Sequence, residues 1–384
     1  MKKYFSEEHF MLKQMVKEFA EKEIKPIAQQ IDSKSQFPSK IINKMSKLGL
    51  LGIPWEEKYN GIGMDTLSLV IAIEEIGKIC TSTAVTMMAH TSLGSGPIAY
   101  FGTEQQKQKY LTKLAKGEIL GAFGLTEPNA GSDAGSTQTT AELSNDYYII
   151  NGQKAFCTNA GYSGIIIITA KIVDNNSSKN NIGAFIVESD SEGIKFGSPE
   201  KKMGWKGSDT RSVFFENVKI PKENILGDPK KGFSQFLEIL TGGRITIGGL
   251  SLGIAQGAFN AAVKYSKERH AFGKEISKFQ GISFKISDMA TRIEAAKHLV
   301  YHAAWLKDNN LPFIKEAAMA KLFSSETAMY VTTEAIQIHG GYGYIKEYDV
   351  ERYFRDAKIL EIGEGTSEIQ RIIISREILK NINI

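Results

Sequence analysis

The sequence contains little cysteine and no long hydrophobic run. Only two of its 384 residues are cysteines, Cys80 and Cys157, and their spacing fits neither a metal site nor a disulfide framework. The longest strongly apolar run, Ile165 to Ala170, is far shorter than the roughly 20 residues that a membrane-spanning helix needs. We therefore expect a protein of a reducing compartment, without a membrane span.

The sequence also lacks a predominant charge. It carries 47 basic and 43 acidic residues, a net charge of +4, and the two signs are interleaved. Proteins that bind nucleic acid carry a concentrated basic face, so we expect no nucleic-acid partner. Met1 to Lys3 leads directly into a segment containing Glu7 and Glu8, unlike a signal peptide or an acid-poor transit peptide. We expect a cytoplasmic protein of bacterial type, or a mitochondrial matrix protein if a transit peptide is missing from this sequence.

Several common cofactor motifs are absent. No GxGxxG opens a helix after a strand and no GxxxxGK[ST] occurs, which argues against a Rossmann unit and a P-loop. Glu-x-x-His pairs, which di-iron bundles require, are also missing. Glu294, His298 and His302 have a metal-like spacing, but both histidines fall about 160° from the apolar stripe through Val300. We therefore predict a polar helix face there and no metal site.

The residue patterns divide the chain into three parts. Residues 1–120 have helical spacing of apolar residues, beginning after a plausible N-cap at Ser6. Residues 121–228 contain short β-branched and aromatic segments separated by turns too short for crossover helices, which favours antiparallel pairing. Helical spacing returns over residues 229–384. We predict an α+β fold, mainly α, with an N-terminal helical domain, a middle antiparallel β domain and a C-terminal four-helix bundle.

Three glycines have a spacing typical of close helix packing. Gly249, Gly253 and Gly257 lie four residues apart within a helical pattern and are followed by Ala261. They would present one small-residue face to another helix. A packing role is the favoured interpretation, over a functional one.

Five motifs carry the functional signal. Each is weak alone; the first, for example, could be a surface turn or a loop that lets backbone N–H groups approach a polar ligand. In chain order they are Phe123–Gly135 (FGLTEPNAGSDAG), Ala155–Gly161 (AFCTNAG), Glu268–Gly273 (ERHAFG), Gln337–Gly343 (QIHGGYG), and Arg355–Lys358 (RDAK) leading to Ile362–Arg371 (IGEGTSEIQR). Together, on an α-β-α plan, they resemble the acyl-CoA dehydrogenase family over nearly the whole chain, and its short-chain, butyryl-CoA dehydrogenase-like branch most.

The resemblance implies a reaction and a base. Members remove the α-proton of an acyl-CoA while the β-hydrogen leaves as hydride to N5 of FAD, giving a trans-2-enoyl-CoA. Glu364 matches the base of the family. From the residues alone, Ser367 and Gln370 fit a capping box, which places Glu364 in the loop before the last helix, where it could be only an electrostatic cap. Some relatives carry the base at the position of Gly243, which cannot serve as one.

The resemblance also assigns the FAD contacts. Arg269, Phe272, Gln280, Gln337 and Gly341 match residues that come from a neighbouring subunit, which implies a homo-oligomer, usually a tetramer. Phe156 stands where many members have tryptophan, and the exchange preserves an aromatic surface. The full cofactor set is Phe123, Leu125, Thr126, Gly131, Ser132, Phe156, Thr158, Arg269, Phe272, Gln280, Gln337, Gly340, Gly341, Thr366 and Glu368.

The substrate contacts follow in the same way, with two departures. Thr241 stands where close relatives commonly have aspartate, and Gly363 where many short- and medium-chain members have tyrosine beside the acyl chain. Without that ring we expect a pocket for short- to medium-chain acyl groups that tolerates branching. The set is Ser132, Thr241, Arg244, Gly363, Gly365 and Arg376.

Two other functions stay open at this stage. An acyl-CoA or nitroalkane oxidase can use a similar fold but releases peroxide with each turnover, whereas a dehydrogenase passes its electrons to an electron-transferring flavoprotein. A non-catalytic relative that only binds a partner is the third possibility, and Glu364 together with the lack of a basic tract argues against it. Resemblance of fold alone would not decide among them, since function rests on the site residues.

Overall fold

The structure is a computed structural model that describes residues 4–173 and 181–380. The N-terminal third of the chain is helical. The first helix begins after Ser6, whose hydroxyl accepts the His9 backbone N–H while the His9 ring accepts the Ser6 N–H. The helices are α1 (Glu7–Phe19), α2 (Ala28–Ser33), α3 (Ser39–Lys47), α4 (Thr66–Gly77), α5 (Thr81–Met88), α6 (Gly96–Phe101), α7 (Glu104–Gln106) and α8 (Thr112–Lys116), with π-helical turns at Ala20–Ile24, Ala89–Ser95 and Lys107–Leu111.

A sheet of eight strands follows. The predicted β segments lie inside its four longest strands, where β-branched and aromatic side chains alternate with polar ones or are buried on both faces. The strands are β1 (Leu120–Gly124), β2 (Thr140–Ser144), β3 (Tyr147–Thr158), β4 (Ser163–Val173), β5 (Asn181–Glu188), β6 (Ile194–Phe196), β7 (Thr210–Pro221) and β8 (Ile225–Leu226).

The sheet is mostly antiparallel. Its order is β6-β7-β3-β2-β4-β5-β8, and these neighbours are antiparallel except for β2 and β4. β4 runs parallel to β2 and, farther toward its N-terminus, to β1. Residue spacing did not predict these two parallel contacts. They need no crossover helix, because the β2–β3 hairpin itself carries the chain back across the sheet before β4 begins.

Long helices return after the sheet. α9 (Gly232–Glu268), α10 (Gln280–Asp308) and α11 (Ile314–His339) are followed by α12 (Val350–Ala357) and α13 (Ser367–Lys380), and a two-stranded ribbon of β9 (His270–Ala271) and β10 (Lys274–Glu275) joins α9 to α10. α11 packs against α9, α10 and α13. Within the described ranges, no helix is long and apolar enough to cross a bilayer.

The two helical regions share one hydrophobic core. Leu12 of α1, Ile73 of α4, Ile254 of α9, Met289 of α10 and Val331 of α11 belong to the same buried cluster. The helices before and after the sheet therefore form one packed body, with the sheet core as a separate cluster beside it.

Close contact between α4 and α9 depends on the glycine face predicted from the sequence. A Cβ atom at Gly253 would lie 2.6 Å from the Glu74 carbonyl oxygen, and one at Gly249 would lie 3.0 Å from a Val70 side-chain carbon. A Cβ at Gly257 would meet the Lys78 carbonyl oxygen at 2.6 Å. The backbones approach each other at these glycines, so the packing interpretation is supported.

Substituting Gly253 should therefore separate packing from helix propensity. Gly253→Ala is expected to destabilise the protein by about 1–3 kcal/mol, because the new methyl group meets backbone atoms that cannot move freely. Gly242→Ala in the same helix is the control: its Cβ would meet only the flexible Lys307 ammonium, at 3.1 Å, so it should gain up to about 1 kcal/mol of helix propensity. Urea unfolding followed by circular dichroism measures both, and equal midpoints would contradict the packing argument.

Candidate active site around Glu364

Glu364 lies in a left-handed turn just before α13. Its φ is 51° and that of Gly365 is 91°, a conformation that usually costs about 1–3 kcal/mol at a residue with a side chain. Two side chains hold the turn: Gln370 Nε2 donates to the Gly365 carbonyl oxygen at 2.9 Å, and Lys321 Nζ donates to the same oxygen at 2.7 Å. The backbone at Glu364 is thus fixed by its surroundings.

The cap of α13 differs from the predicted one. Ser367 is the first helical residue, and the Thr366 hydroxyl accepts the Ile369 backbone N–H at 3.3 Å. Gln370 does not complete a capping box, because its side chain donates to the carbonyl oxygens of Glu364 and Gly365. The helix start was predicted correctly, but Thr366 is the capping residue, and Gln370 holds the turn that carries Glu364.

One oxygen of the Glu364 carboxylate is buried, although the residue as a whole is only partly buried. Its Oε2 atom is shielded from solvent and has no hydrogen-bond partner among the described residues. It lies against Gly243 of α9, where an added Cβ would come within 2.3 Å of Oε2. Burial raises the pKa of Glu364 to about 7, while the positive charges of Lys321 and Arg244 oppose that rise. A carboxyl group with a pKa near neutrality suits proton transfer at neutral pH.

Arg244 supplies one of these charges from α9. The side chain is buried, and its Nη1 donates to the Thr241 hydroxyl at 3.2 Å while its Nε has no partner within the described part of the chain. Burial lowers the pKa of Arg244 to about 10, and Glu364 opposes that fall, so the group stays cationic at neutral pH. Arg244, with Thr241 beside it, therefore lies near Glu364, and Arg376, exposed on α13, lies near enough for its charge to lower the pKa of Arg244.

The space beside Gly363 is open. A Cβ atom there would make only an ordinary contact, 3.5 Å from the Ile359 carbonyl oxygen. A larger residue could be accommodated, so the glycine is not required by local packing.

A second group of predicted residues lies along the start of the sheet. Phe123 of β1 stacks on Phe236 of α9, with ring centroids 4.5 Å apart, and so ties the sheet to the helix that carries Gly243. Phe156 of β3 has a φ of 55°, and 66% of its side chain is exposed. Leu125, Thr126 and Thr158 are partly buried, and Gly131 and Ser132 are exposed. An aromatic ring held outward by its backbone leaves a flat surface free for a planar ligand.

A buried ion pair missed by the sequence analysis anchors the loop between β1 and β2. Lys154 is fully buried, and its Nζ donates to Glu127 Oε1 at 2.7 Å and to the Leu125 carbonyl oxygen at 3.3 Å. Glu127 also accepts the backbone N–H groups of Gln138 and Thr139. Burial alone would raise the pKa of Glu127, but the hydrogen bonds from Lys154 and its other donors hold that pKa at about 2. One carboxylate thus fixes both ends of the loop.

Most of the remaining predicted residues lie far from Glu364. Arg269, Gly340 and Gly341 line an open groove of about 530 Å³ at the ends of α9 and α11. Since α9 rises about 1.5 Å per residue, roughly 37 Å separates Arg244 from the end of that helix. Phe272, in the ribbon after α9, is 96% exposed, and Gln280 and Gln337 are exposed as well. Thr366 and Glu368, by contrast, adjoin the Glu364 turn.

The metal-like histidine spacing leads to no site. His298 is exposed and lies 3.7 Å from Glu294, and His302 is only half-buried. Over residues 4–173 and 181–380, no cluster of three or more potential metal ligands is found.

Breaking the Lys154–Glu127 pair should be far more damaging than breaking a surface pair. Lys154→Met leaves a buried carboxylate without its cation and is expected to cost about 3–5 kcal/mol. The matched control is Lys195→Met, which removes a pair with Glu216 whose side chains are 63% and 62% exposed, and should cost no more than about 1 kcal/mol. Urea unfolding of both variants tests this, and similar losses would refute the anchoring role.

The chain matches one protein family along its length. Residues 6–118, 122–218 and 230–379 match, in that order, the N-terminal, middle and C-terminal domains of acyl-CoA dehydrogenase. A short-chain specific acyl-CoA dehydrogenase of Clostridium acetobutylicum is 49% identical over 97% of this chain and 98% of its own. The subunit CarC of the caffeyl-CoA reductase-Etf complex of Acetobacterium woodii is 46% identical over 98% of this chain and 100% of its own.

Solved structures agree with these matches. Butyryl-CoA dehydrogenase of Megasphaera elsdenii superposes with a TM-score of 0.95 and 45% identity, over 98% of this chain and 99% of that one. An acyl-CoA dehydrogenase of Bacillus anthracis complexed with FAD gives a TM-score of 0.92 and 36% identity, over 98% of this chain and 67% of that one. The predicted family and fold are confirmed: the chain belongs to the acyl-CoA dehydrogenase family of oxidoreductases, whose cofactor is FAD.

Proposed function

We propose that the protein is an FAD-dependent acyl-CoA dehydrogenase that converts short- to medium-chain acyl-CoA to trans-2-enoyl-CoA, with Glu364 as the base. The observation that carries this proposal is the Glu364 carboxylate itself. Its Oε2 is buried and has no partner among the described residues, and its pKa is raised to about 7. A carboxylate in this state can accept a proton that water cannot easily reach.

The residues around Glu364 have distinct tasks in this reaction. Glu364 takes the α-proton as the α C–H bond breaks, and the electron pair of that bond forms the new double bond. The Glu364 backbone N–H has no acceptor among the described residues, so it is free to donate to the thioester oxygen, where negative charge develops. Arg244 places a positive charge beside the same region. When bound, FAD supplies the acceptor for the hydride that leaves the β-carbon.

Two other groups of predicted residues, one around Phe156 and one around Arg269, have features that fit FAD. Phe156 offers an exposed ring beside the β1–β2 loop, which suits the planar part of a flavin. At Gly340 and Gly341 an added Cβ would meet nothing within 4 Å, and Arg269 lines the same groove. Open backbone and a guanidinium group suit a diphosphate. These residues would hold FAD, and Lys154 and Glu127 would keep the loop in place.

The separation of the two groups supports a homo-oligomer. Two predicted FAD contacts, Thr366 and Glu368, adjoin the Glu364 turn near Arg244, and an FAD molecule cannot extend over the roughly 37 Å from Arg244 to the end of α9. The Arg269 groove would therefore serve the site of a neighbouring chain, and exposed aromatic residues such as Phe272 and Phe284 would be covered by that chain. We infer a tetramer, as the family resemblance implies.

An electron-transferring flavoprotein is the proposed electron acceptor. The support is the relative from Acetobacterium woodii, which is named as a subunit of a reductase-Etf complex. A cytoplasmic location in a bacterium stays a prediction.

The open space at Gly363 supports a pocket that accepts methyl-branched acyl chains. Relatives with tyrosine at this position would fill space that is open here, since apart from the two neighbouring residues no atom of the described part of the chain comes closer than 3.5 Å to a Cβ built on Gly363. Extra room beside the acyl chain would admit a branch near the thioester.

The central test is Glu364→Gln with a panel of acyl-CoA substrates. The variant should retain FAD and bind acyl-CoA, yet lose at least about 10³-fold in kcat, because the amide cannot accept the α-proton. Bleaching of the flavin absorbance follows the reaction, and peroxide measured in parallel identifies an oxidase. Glu326→Gln, which changes an exposed carboxylate on α11, is the control and should turn over normally. Near-normal bleaching by Glu364→Gln would refute the role of Glu364.

A substitution at Gly363 tests the proposed substrate selectivity. Gly363→Tyr should lower kcat/KM for methyl-branched acyl-CoA by about tenfold or more relative to butyryl-CoA, because the ring occupies the open space. Steady-state kinetics of both substrates with the wild-type protein and the variant measure this ratio. Strict selectivity of the wild-type protein for butyryl-CoA would contradict the open pocket.

A further inference from the structure

A lysine that no motif contains lies beside the catalytic turn. Lys321 of α11 is completely buried, and its Nζ donates to the carbonyl oxygen of Gly365 at 2.7 Å. Fully buried lysines are rare and costly to maintain unless a partner compensates the charge. The acceptor of this hydrogen bond is a neutral carbonyl group. The compensation therefore has to come from charges farther away.

The charges around Lys321 come from four elements. Glu364 lies on the turn before α13, Glu361 lies in the short 3₁₀ helix before that turn, and Glu368 lies in the first turn of α13. Arg244, from α9, is the positive charge that acts on Lys321. Glu361 is paired with Lys358, and Glu368 is exposed, whereas Glu364 has one buried oxygen, Oε2, that is unpartnered among the described residues. Glu364 is thus the unpaired negative charge available to Lys321.

The ionisation of both groups follows from this arrangement. Burial lowers the pKa of Lys321 to about 8, and the carboxylates, Glu364 first, oppose that fall. The lysine is therefore still mostly protonated at pH 7. In turn, burial raises the pKa of Glu364, and Lys321 and Arg244 oppose the rise.

We propose that Lys321 is a positioning residue for Glu364, which holds the left-handed turn through Gly365 and keeps the carboxylate ionised through its positive charge. The proposal rests on Glu364 being the base. It predicts two separable effects: one on the geometry of the turn, and one on the pH range in which the enzyme is active.

Gln370 provides a comparison within the same turn. Its Nε2 donates to the same Gly365 carbonyl oxygen at 2.9 Å and to that of Glu364 at 3.4 Å, but it carries no charge. Loss of Gln370 should disturb the turn alone. Loss of the charge at Lys321 should move the pH dependence as well.

The test compares Lys321→Gln, Lys321→Met and Gln370→Met as FAD-loaded proteins. The glutamine variant keeps a donor for Gly365 and removes the charge, whereas the methionine variants remove a donor each. The measurement is kcat/KM for butyryl-CoA between about pH 5.5 and about pH 9, since this quantity reports the ionisation of the free enzyme. FAD content and thermal unfolding identify variants that fail to fold.

The direction of the shift in the pH midpoint follows because the ionised carboxylate of Glu364 is the active form. In the wild-type protein the activity should rise with pH through a midpoint near 7. Removal of the Lys321 charge favours the protonated carboxyl group, so the midpoint should move upward by about one pH unit in both Lys321 variants. The activity of the Lys321 variants at pH 7 should then fall about fivefold, in addition to any loss that is the same at every pH. Gln370→Met should lower kcat at every pH and leave the midpoint unchanged.

An infrared titration gives a readout that does not depend on turnover. The carboxyl band that disappears in Glu364→Gln should titrate at a higher pH in Lys321→Gln than in the wild-type protein. A wild-type midpoint in Lys321→Gln, by infrared or by kinetics, would overturn the proposal, as would an equal shift in Gln370→Met. If Glu364→Gln turns over normally, the proposed function itself fails; if that variant is inactive and Lys321→Gln has the wild-type midpoint, only the role of Lys321 fails.

Discussion

A carboxylate oxygen buried without a hydrogen-bond partner among the described residues, Oε2 of Glu364, is the physical constraint around which the site is built. An unpaired charge inside a protein is unfavourable by several kcal/mol, so a buried carboxylate tends to bind a proton. At Glu364 two buried cations from different helices, Lys321 and Arg244, oppose this protonation. The balance leaves a carboxyl group that can exist in either form near neutral pH. The left-handed backbone of Glu364 serves the same end, because it belongs to the turn that places Oε2 out of solvent.

Helix α9 connects this site to the rest of the molecule. Its first turns bring Phe236 against Phe123 of the sheet and place Gly243 and Arg244 beside Glu364. Its middle is held against α4 by glycines, so the helices before and after the sheet form one body. The position of Arg244 is therefore set by contacts along the whole helix.

The fold and a candidate base could be predicted from the sequence, because each depends on local pattern or on matching motifs. The three-part plan came from residue spacing, and Glu364 from the family motif. Lys321 and Lys154 could not be found in this way. Each is a single lysine in an otherwise ordinary helix or strand, and only the tertiary structure shows that it is buried against a partner from elsewhere. Thr366 was not predicted as the capping residue for a related reason. The sequence does not show that the Gln370 side chain binds carbonyl oxygens of the turn, and so does not complete a capping box.

If Glu364 is the base, as proposed, its contact with Gly243 limits how the base could change position during evolution. Two side chains cannot share this space, because a Cβ at residue 243 would overlap the Glu364 carboxylate. Moving the base to α9 therefore takes two substitutions whose effects depend on each other. If Glu364 is lost first, the intermediate has no base, and if Gly243 is replaced first, two carboxylates compete for one cavity. The route between the two arrangements passes through an impaired enzyme in either order, so lineages in this family should keep the arrangement they inherited.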